Sequence, residues 1–486
     1  MITMKRQTFA PLRALPAIAA LLTASGLLCS CARDGYDDDE RFVSSVQGTV
    51  LPTLNAEDIT VTASADGKTQ TISWPVVHGA SGYLVSLTNT DDADNPLMKD
   101  SLVDGCSVTA DRLEDTNYEL SVLALGNDRL RNSNAQQATV KHYDTFAQAL
   151  ATIPVGDLKQ WFDQNPVPDS SAAIYYNLEA GGAYTLADTL DLGRHHVIIR
   201  TTDKNNRAKV TYGETAYLCT SAPLTLQNID FDCSAISDNA KNTAAVALSP
   251  TPDEDIKGII NHGSYTSSYY NIATYPIYIV NCDFDGVKGM FFYDNNQQYC
   301  VETLLIENCN IHFITPKNQA NLAYIYTPGG LVKDLTIKNS SLWNNGEGTF
   351  QYVIRYNNSG RLDRAGYDRD SETQSVSLIS NTMYNLGYGW FCNWAAFAGQ
   401  KYTCFDIEKN IFCECGTGGS GIARRLLATR TASAYGSVVF AYNTYWTNGA
   451  IEAEGGPDED PENPWQYDTS HTALQTDPAL ASPDTG

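Results

Sequence analysis

Seven times between Leu224 and Tyr445 the chain repeats one short phrase, and that repeat constrains the fold more than any other feature. The phrase is two apolar residues separated by one position, a polar turn, then another apolar residue, as in Leu335-Thr-Ile337-Lys-Asn339-Ser-Ser-Leu342. Copies begin at Leu224, Ile277, Leu304, Leu335, Val376, Phe405 and Val438, with starts 53, 27, 31, 41, 29 and 33 residues apart. Apolar alternation marks a strand with one buried face. A strand-turn-strand unit cannot bury that face alone, whereas stacked copies can, as parallel strands about 4.8 Å apart. Asn holds one turn column at Asn228, Asn281, Asn308 and Asn339, then the next position at Asn381, Asn410 and Asn443. Stacked amides in such a column bond from rung to rung. Phe231, Phe284, Ile311, Leu342, Met383, Phe412 and Tyr445 follow the turn and form a second inward stack. The expected class is all-β, with a parallel β-helix as the larger part.

The first thirty residues read as a targeting segment outside the fold. Lys5, Arg6 and Arg13 precede an apolar run from Ala14 to Leu28, shorter than the roughly 20 residues of a membrane span. The run ends in Leu28-Cys29-Ser30-Cys31, which resembles a bacterial lipoprotein cleavage box and implies Cys31 as the lipidated first residue. Residues 31–49, with Asp37-Asp38-Asp39-Glu40, are expected to be an acidic tether. This run resembles the surface-export signal of lipoproteins from glycan-degrading gut bacteria.

Removing three basic residues with the signal leaves 29 basic against 56 acidic side chains, a charge of −27 with His neutral. That balance argues against a nucleic-acid partner, which needs basic surface. A polyanionic ligand would need a local basic cleft or a bound cation. The 28 Tyr, 15 Phe and 7 Trp supply rings for the core and for stacking on sugars. Cys282 and Cys309 share a turn column on consecutive copies, a spacing open to a disulfide or to stacked small side chains, and Cys413-Glu-Cys415 lacks the second pair of a structural zinc site. Unliganded cysteines are the expectation.

Residues 50–142 hold short alternating strands. Thr71-Ile-Ser-Trp74-Pro75 and Leu113-Glu-Asp-Thr-Asn-Tyr118-Glu-Leu120 resemble a fibronectin type III module. The resemblance implies Trp74 in a sandwich core and Tyr118 in a tyrosine corner. From residue 143 onward the expectation is the β-helix, capped by a helix from Phe146 to Phe162, with first coils at Ala183–Leu186 and His196–Ile199. This part resembles the pectate-lyase-like right-handed parallel β-helices of surface lipoproteins from glycan-degrading gut bacteria, many of them domains of unknown function. Asp477-Pro-Ala-Leu480 resembles that family's final coil cut short.

Two groups of residues carry candidate chemistry. Asp230-Phe-Asp232 and Asp283-Phe-Asp285 fall in the same place of the first two copies, with Asn310 and His312 in the third. If those copies are neighbours, Asp232, Asp285 and His312 form one outward row. Like charges that close call for a cation or a shared proton. Asp230, Asp232, Asp283 and Asp285 are thus candidate Ca²⁺ ligands, and an Asp pair is a candidate acid and base for glycoside hydrolysis. The second group is basic and aromatic. Aligning Phe292-Tyr293, Ile325-Tyr326 and Arg355-Tyr356 stacks the three tyrosines and puts Arg355 in the column of Phe292 and Ile325. Arg424, Arg425 and Arg430, with Trp390 and Trp394, are expected to line a groove for an acidic sugar, since Arg forks onto carboxylates. Lyases of the resembled architecture use Arg or Lys as base, which makes Arg355 a candidate catalytic residue beside Asp232, Asp285 and His312. Gly416-Thr-Gly418-Gly-Ser-Gly421 matches a dinucleotide pattern without its βαβ setting and reads as a turn.

The combined expectation is a cell-surface lipoprotein of the outer membrane, facing the exterior, that binds or processes an acidic, uronate-containing polysaccharide. Neighbouring glycan-uptake proteins are its implied partners. Two alternatives stand beside it: a polysaccharide lyase or glycoside hydrolase, and an adhesin or structural surface protein.

Overall fold

The computed structural model describes residues 47–239, 242–262, 265–272, 276–356, 373–393, 403–416, 437–447 and 450–451, and the single positions 468, 470, 472 and 478–480. Cys31, the signal segment, most of the tether, Trp394, Arg424, Arg425 and Arg430 lie outside the described residues. The chain forms two compact units.

The N-terminal strands pair antiparallel in a three-stranded and a four-stranded sheet. Trp74 and Tyr83 are buried and meet edge to face at 5.3 Å between ring centroids. The Tyr118 hydroxyl accepts from Leu113 N at 2.9 Å, the bond expected of a tyrosine corner.

The second unit is a parallel β-helix with three long sheets. Among the described residues these contain 12, 10 and 7 strands. The seven repeated phrases stack in strict register: Leu224, Ile277, Leu304, Leu335, Val376, Phe405 and Val438 are successive partners in the 12-stranded sheet. In the 10-stranded sheet Phe231, Phe284, Ile311, Leu342, Met383, Phe412 and Tyr445 do the same. The 53-residue spacing hides no rung, because Leu224 pairs directly with Ile277. The extra residues include an antiparallel hairpin, Lys257–His262 with Tyr265–Ile272, hung on the strand Tyr299–Glu307.

The displaced Asn column has a physical cause. The first turn position has positive φ in every copy, from Asn228 at 58° through Asn281, Asn308 and Asn339 to Ser380, Lys409 and Tyr442. Asn tolerates that left-handed conformation better than most residues. The second position points along the solenoid and carries a buried hydrogen-bond line. Cys309 N donates to Ser340 Oγ, Ser340 N to Asn381 Oδ1, Asn381 N to Asn410 Oδ1, and Asn410 N to Asn443 Oδ1. Asn therefore serves two jobs, backbone conformation in early copies and the internal ladder in late ones.

The expected cap from Phe146 to Phe162 is shorter and differently built. Ala151–Ile153 is a strand paired with Ile174–Leu178, and the helix spans only Leu158–Gln164. Pro154 and Gly156 oppose helix upstream, and the Asp157 side chain caps the helix by accepting from Gln160 N at 2.8 Å. Leu158 and Phe162 face the core.

Candidate functional site

The carboxylates lie as the repeat places them. Asp230, Phe231 and Asp232 are Cα partners of Asp283, Phe284 and Asp285 on the adjacent strand. What balances their charge is a pair of basic residues from the preceding rung. Arg207 Nη2 lies 2.7 Å from Asp283, and its Nε lies 2.9 Å from Asp230. Lys209 Nζ lies 3.3 Å from Asp232. The Ser234 hydroxyl, at 2.6 Å, holds the Asp232 carboxyl below its ordinary value, helped by Lys209. Burial pushes Asp230 up, against the pull of Arg207.

The calcium expected at Asp230, Asp232, Asp283 and Asp285 therefore meets a different arrangement: Arg207 and Lys209 already pair with three of the four carboxylates, and His312 stands against the fourth. Among the described residues no three or more His, Cys, Asp or Glu side chains converge on a point suited to a metal.

His312 is fixed on three sides. Asp285 follows Phe284, the rung partner of Ile311, and so stands beside His312, with the turn at Gly286, φ of 76°, coming after it. The Asp285 carboxylate is 2.6 Å from Nδ1, and Asn345 Oδ1 is 2.8 Å from Nε2. The Trp343 ring lies flat against the imidazole, 3.6 Å between centroids and 9° between planes. With both ring nitrogens engaged, this cluster is built to hold the imidazole still. Trp343 and Asn345 were missed in the sequence, although Trp343 is the next residue in the column that runs through Asp232, Asp285 and His312.

The second site corrects the alignment by one residue. Tyr293 pairs with Tyr326, Tyr326 with Arg355, and Thr327 with Tyr356. Arg355 thus stands in the tyrosine row, while Ile354 continues the column of Phe292 and Ile325. Tyr356 is 1% exposed and belongs to the core, so it contacts no ligand at the surface. The cause is an irregularity between Gln319 and Ala323 that resets pairing with the next rung.

The row itself is open. Tyr293 and Tyr326 stack at 6.1 Å and 17°. The Arg355 guanidinium lies 5.4 Å from the ring centroids of both Tyr326 and Tyr352, and one of its nitrogens donates to the Asn321 carbonyl. Among the described residues no carboxylate pairs with Arg355. Tyr217, two residues before Cys219 and outside the row, is close enough to Tyr293 to disfavour its phenolate. Burial pushes the Tyr293 phenol to about 12 and raises Tyr326 as well, with Arg355 opposing in the second case. These phenols stay protonated at neutral pH and act as ring faces and hydrogen-bond donors. Trp390 pairs through its backbone with Tyr352 at the next rung, and its side chain lies outside the described residues.

The nine described cysteines, Cys282, Cys309, Cys413 and Cys415 among them, are free thiols.

A family model described as a domain of unknown function matches residues 9–186, and a second, Domain of unknown function (DUF4957), matches residues 182–345. No curated protein matches the chain. Among solved structures, a PL6 family alginate lyase, AlyGC, is similar at 15% identity and a TM-score of 0.32, covering 63% of this chain and 41% of that one. The chain thus spans about two fifths of that lyase. The pectate lyase PelI from Erwinia chrysanthemi, solved in complex with tetragalacturonic acid, is similar at 10% identity and a TM-score of 0.16, covering 69% of this chain and 87% of that one. The β-helix assignment rests on the strand order and register given above.

Proposed function

We propose that this protein binds an acidic, uronate-containing polysaccharide along the row Tyr293–Tyr326–Arg355, as a lipid-anchored protein of the cell surface. The observation that carries the reading is Arg355, a guanidinium stacked between tyrosines with no carboxylate partner among the described residues. Rings at successive rungs recur about every 4.8 Å, close to the advance of a polysaccharide chain per sugar. Sugar faces stack on such rings, and a free guanidinium takes a carboxylate by two parallel hydrogen bonds. The anchor rests on Leu28-Cys29-Ser30-Cys31 alone. Palmitate labelling lost in Cys31→Ala and kept in Cys29→Ala tests it.

The direct test is affinity electrophoresis or calorimetry with polygalacturonate, alginate and a neutral glucan at several salt concentrations. Binding to uronates should weaken with salt and fall in Arg355→Ala and Tyr326→Ala while both variants melt like the wild type. Binding confined to the neutral glucan and indifferent to salt would remove Arg355 from the account. Absorbance from unsaturated products in the same incubations tests the catalytic alternative, for which the Asp285–His312 contact is the one specific geometric support. Product formation that His312→Ala abolishes would replace binding with lysis.

A further inference from the structure

A cavity of about 350 Å³ is lined by the helix Leu158–Gln164 and the segment from Thr189 to His195. Its volume falls in the range of small-molecule sites, roughly 300–1,000 Å³. Phe162, Leu190 and Leu192 line it and are themselves buried. Lys159 and Asp163, joined at 2.6 Å, contribute polar lining from the helix. Asp191 contributes from the strand, its carboxylate held by the Ser249 hydroxyl at 2.5 Å and by Gly193 N at 2.9 Å. With His195 neutral, one cation against two carboxylates gives the lining a net charge of −1. An anion is repelled there, whereas hydroxyl groups find acceptors that are already oriented. An aromatic and aliphatic floor under polar groups fits the C–H face of a pyranose.

The cavity also has a defined place in the fold. Asp191 pairs with Cys219, and the same row continues through Ala247, Tyr293 and Tyr326 to Arg355. Five rung steps of about 4.8 Å put Arg355 roughly 24 Å from Asp191, a run of several sugars. Thr189 lines the cavity, and its hydroxyl donates to the Thr215 carbonyl at 3.2 Å.

We propose that this cavity binds an uncharged pyranose, the end sugar of a glycan whose acidic unit reaches Arg355. The glycan would then be mixed, neutral at its captured end and uronate-bearing further along. Continuity between the two sites rests on the function proposed above, but sugar binding in the cavity does not.

Saturation-transfer NMR on the intact protein, with free galactose, rhamnose and xylose against galacturonate and glucuronate, tests the proposal. At least one neutral sugar should bind the wild type. Asp163→Asn, a change at an exposed side chain, should weaken it about tenfold, the loss of one charge-assisted hydrogen bond. A galacturonate or glucuronate signal that persists in Arg355→Ala and is lost in Asp163→Asn would overturn the charge argument. No neutral-sugar signal, or one indifferent to Asp163→Asn, would overturn the cavity as a sugar site. A long chain whose affinity falls in Tyr326→Ala but not in Asp163→Asn would leave the tyrosine row standing and remove the cavity from it.

Discussion

Asn410 is the residue on which the internal ladder can be tested most sharply. Its Oδ1 accepts from Asn381 N and Nδ2, both at 3.0 Å, and its Nδ2 donates to Leu378 O at 2.7 Å and to Asn443 Oδ1 at 3.1 Å. Asn410 is 0% exposed, so water cannot replace these partners. In Asn410→Ala, Asn381 Nδ2 keeps Ile337 O, and Asn443 Oδ1 keeps Asn410 N. The Asn381 N–H and the Leu378 carbonyl lose the bonds that Asn410 made to them. Each buried orphan costs about 1–3 kcal/mol, which makes the expected loss about 2–6 kcal/mol. Asn410→Asp should be no better, because it keeps the acceptor, loses the donor to Leu378 O and sets a carboxylate against Asn443 Oδ1. The neighbouring Lys409 provides a control of opposite sign. It is exposed with φ of 57°, so Lys409→Gly should raise stability by up to ~1 kcal/mol. Urea unfolding, with hydrogen exchange read over residues 374–416, measures both. Exchange matters because a solenoid can open locally without unfolding throughout. An Asn410→Ala loss under about 0.5 kcal/mol, within the range of ordinary surface substitutions, with unchanged exchange at Asn381, would refute the ladder as a source of stability.

Three further outcomes are expected. Asp294 is fully buried and accepts from Asn296 N, Gly329 N and Gly330 N at 2.8 to 2.9 Å, yet burial outweighs those donors and pushes its carboxyl to about 8. Because the folded value lies above the unfolded one, the protonated form contributes stability that is complete below the ordinary carboxyl range and lost as pH rises through about 8. The melting temperature should decline over that window in the wild type and decline less in Asp294→Asn; equal slopes would count against it. Arg207→Ala should destabilise by about 1 kcal/mol at neutral pH, by leaving Asp230 and Asp283 in register without their shared cation. Acidification should recover part of that loss by protonating Asp230, which burial already disposes toward the neutral form, and a loss that acid leaves untouched would point to packing instead. Millimolar Ca²⁺ should leave the melting temperature unmoved, since Arg207 and Lys209 already offset the carboxylates; a rise that Asp285→Asn abolishes would reinstate the metal.

The repeat made the solenoid legible because strand periodicity is a property of side chains alone: a residue every second position faces inward, and Leu224, Ile277, Leu304, Leu335, Val376 and Phe405 keep that rule. What the repeat could not convey is where pairing slips. A slip in pairing changes every neighbour downstream, and the strand from Gln319 to Thr327 contains one before Ala323, where the offset to the next rung falls from 31 to 29 residues. Aligning tyrosine with tyrosine therefore put Tyr356 where Arg355 stands. The contact of Asp285 with His312, by contrast, was legible, because the offset that pairs Phe284 with Ile311 sets Asp285 beside His312. Arg207 and Lys209 escaped notice for another reason. The strand Ala208–Tyr212 follows a loop rather than the two-residue turn of the repeat, so nothing in the phrase points to it.

The countercharge each group has acquired decides between the candidate sites for an acidic sugar. A surface charge whose countercharge is already in place has little left to offer a charged ligand, because binding must first break what folding made. Asp230, Asp232 and Asp283 are in that condition through Arg207 and Lys209, and His312 is so through Asp285, Asn345 and Trp343. Arg355 differs. It sits on phenol rings that lower the cost of holding a cation without neutralising it, in a chain with 56 acidic and 32 basic residues. Folding leaves that charge with no carboxylate partner among the described residues, although acidic side chains are plentiful. A carboxylate brought by another molecule is the group that completes it, which is why a uronate-bearing glycan fits this row better than a neutral one.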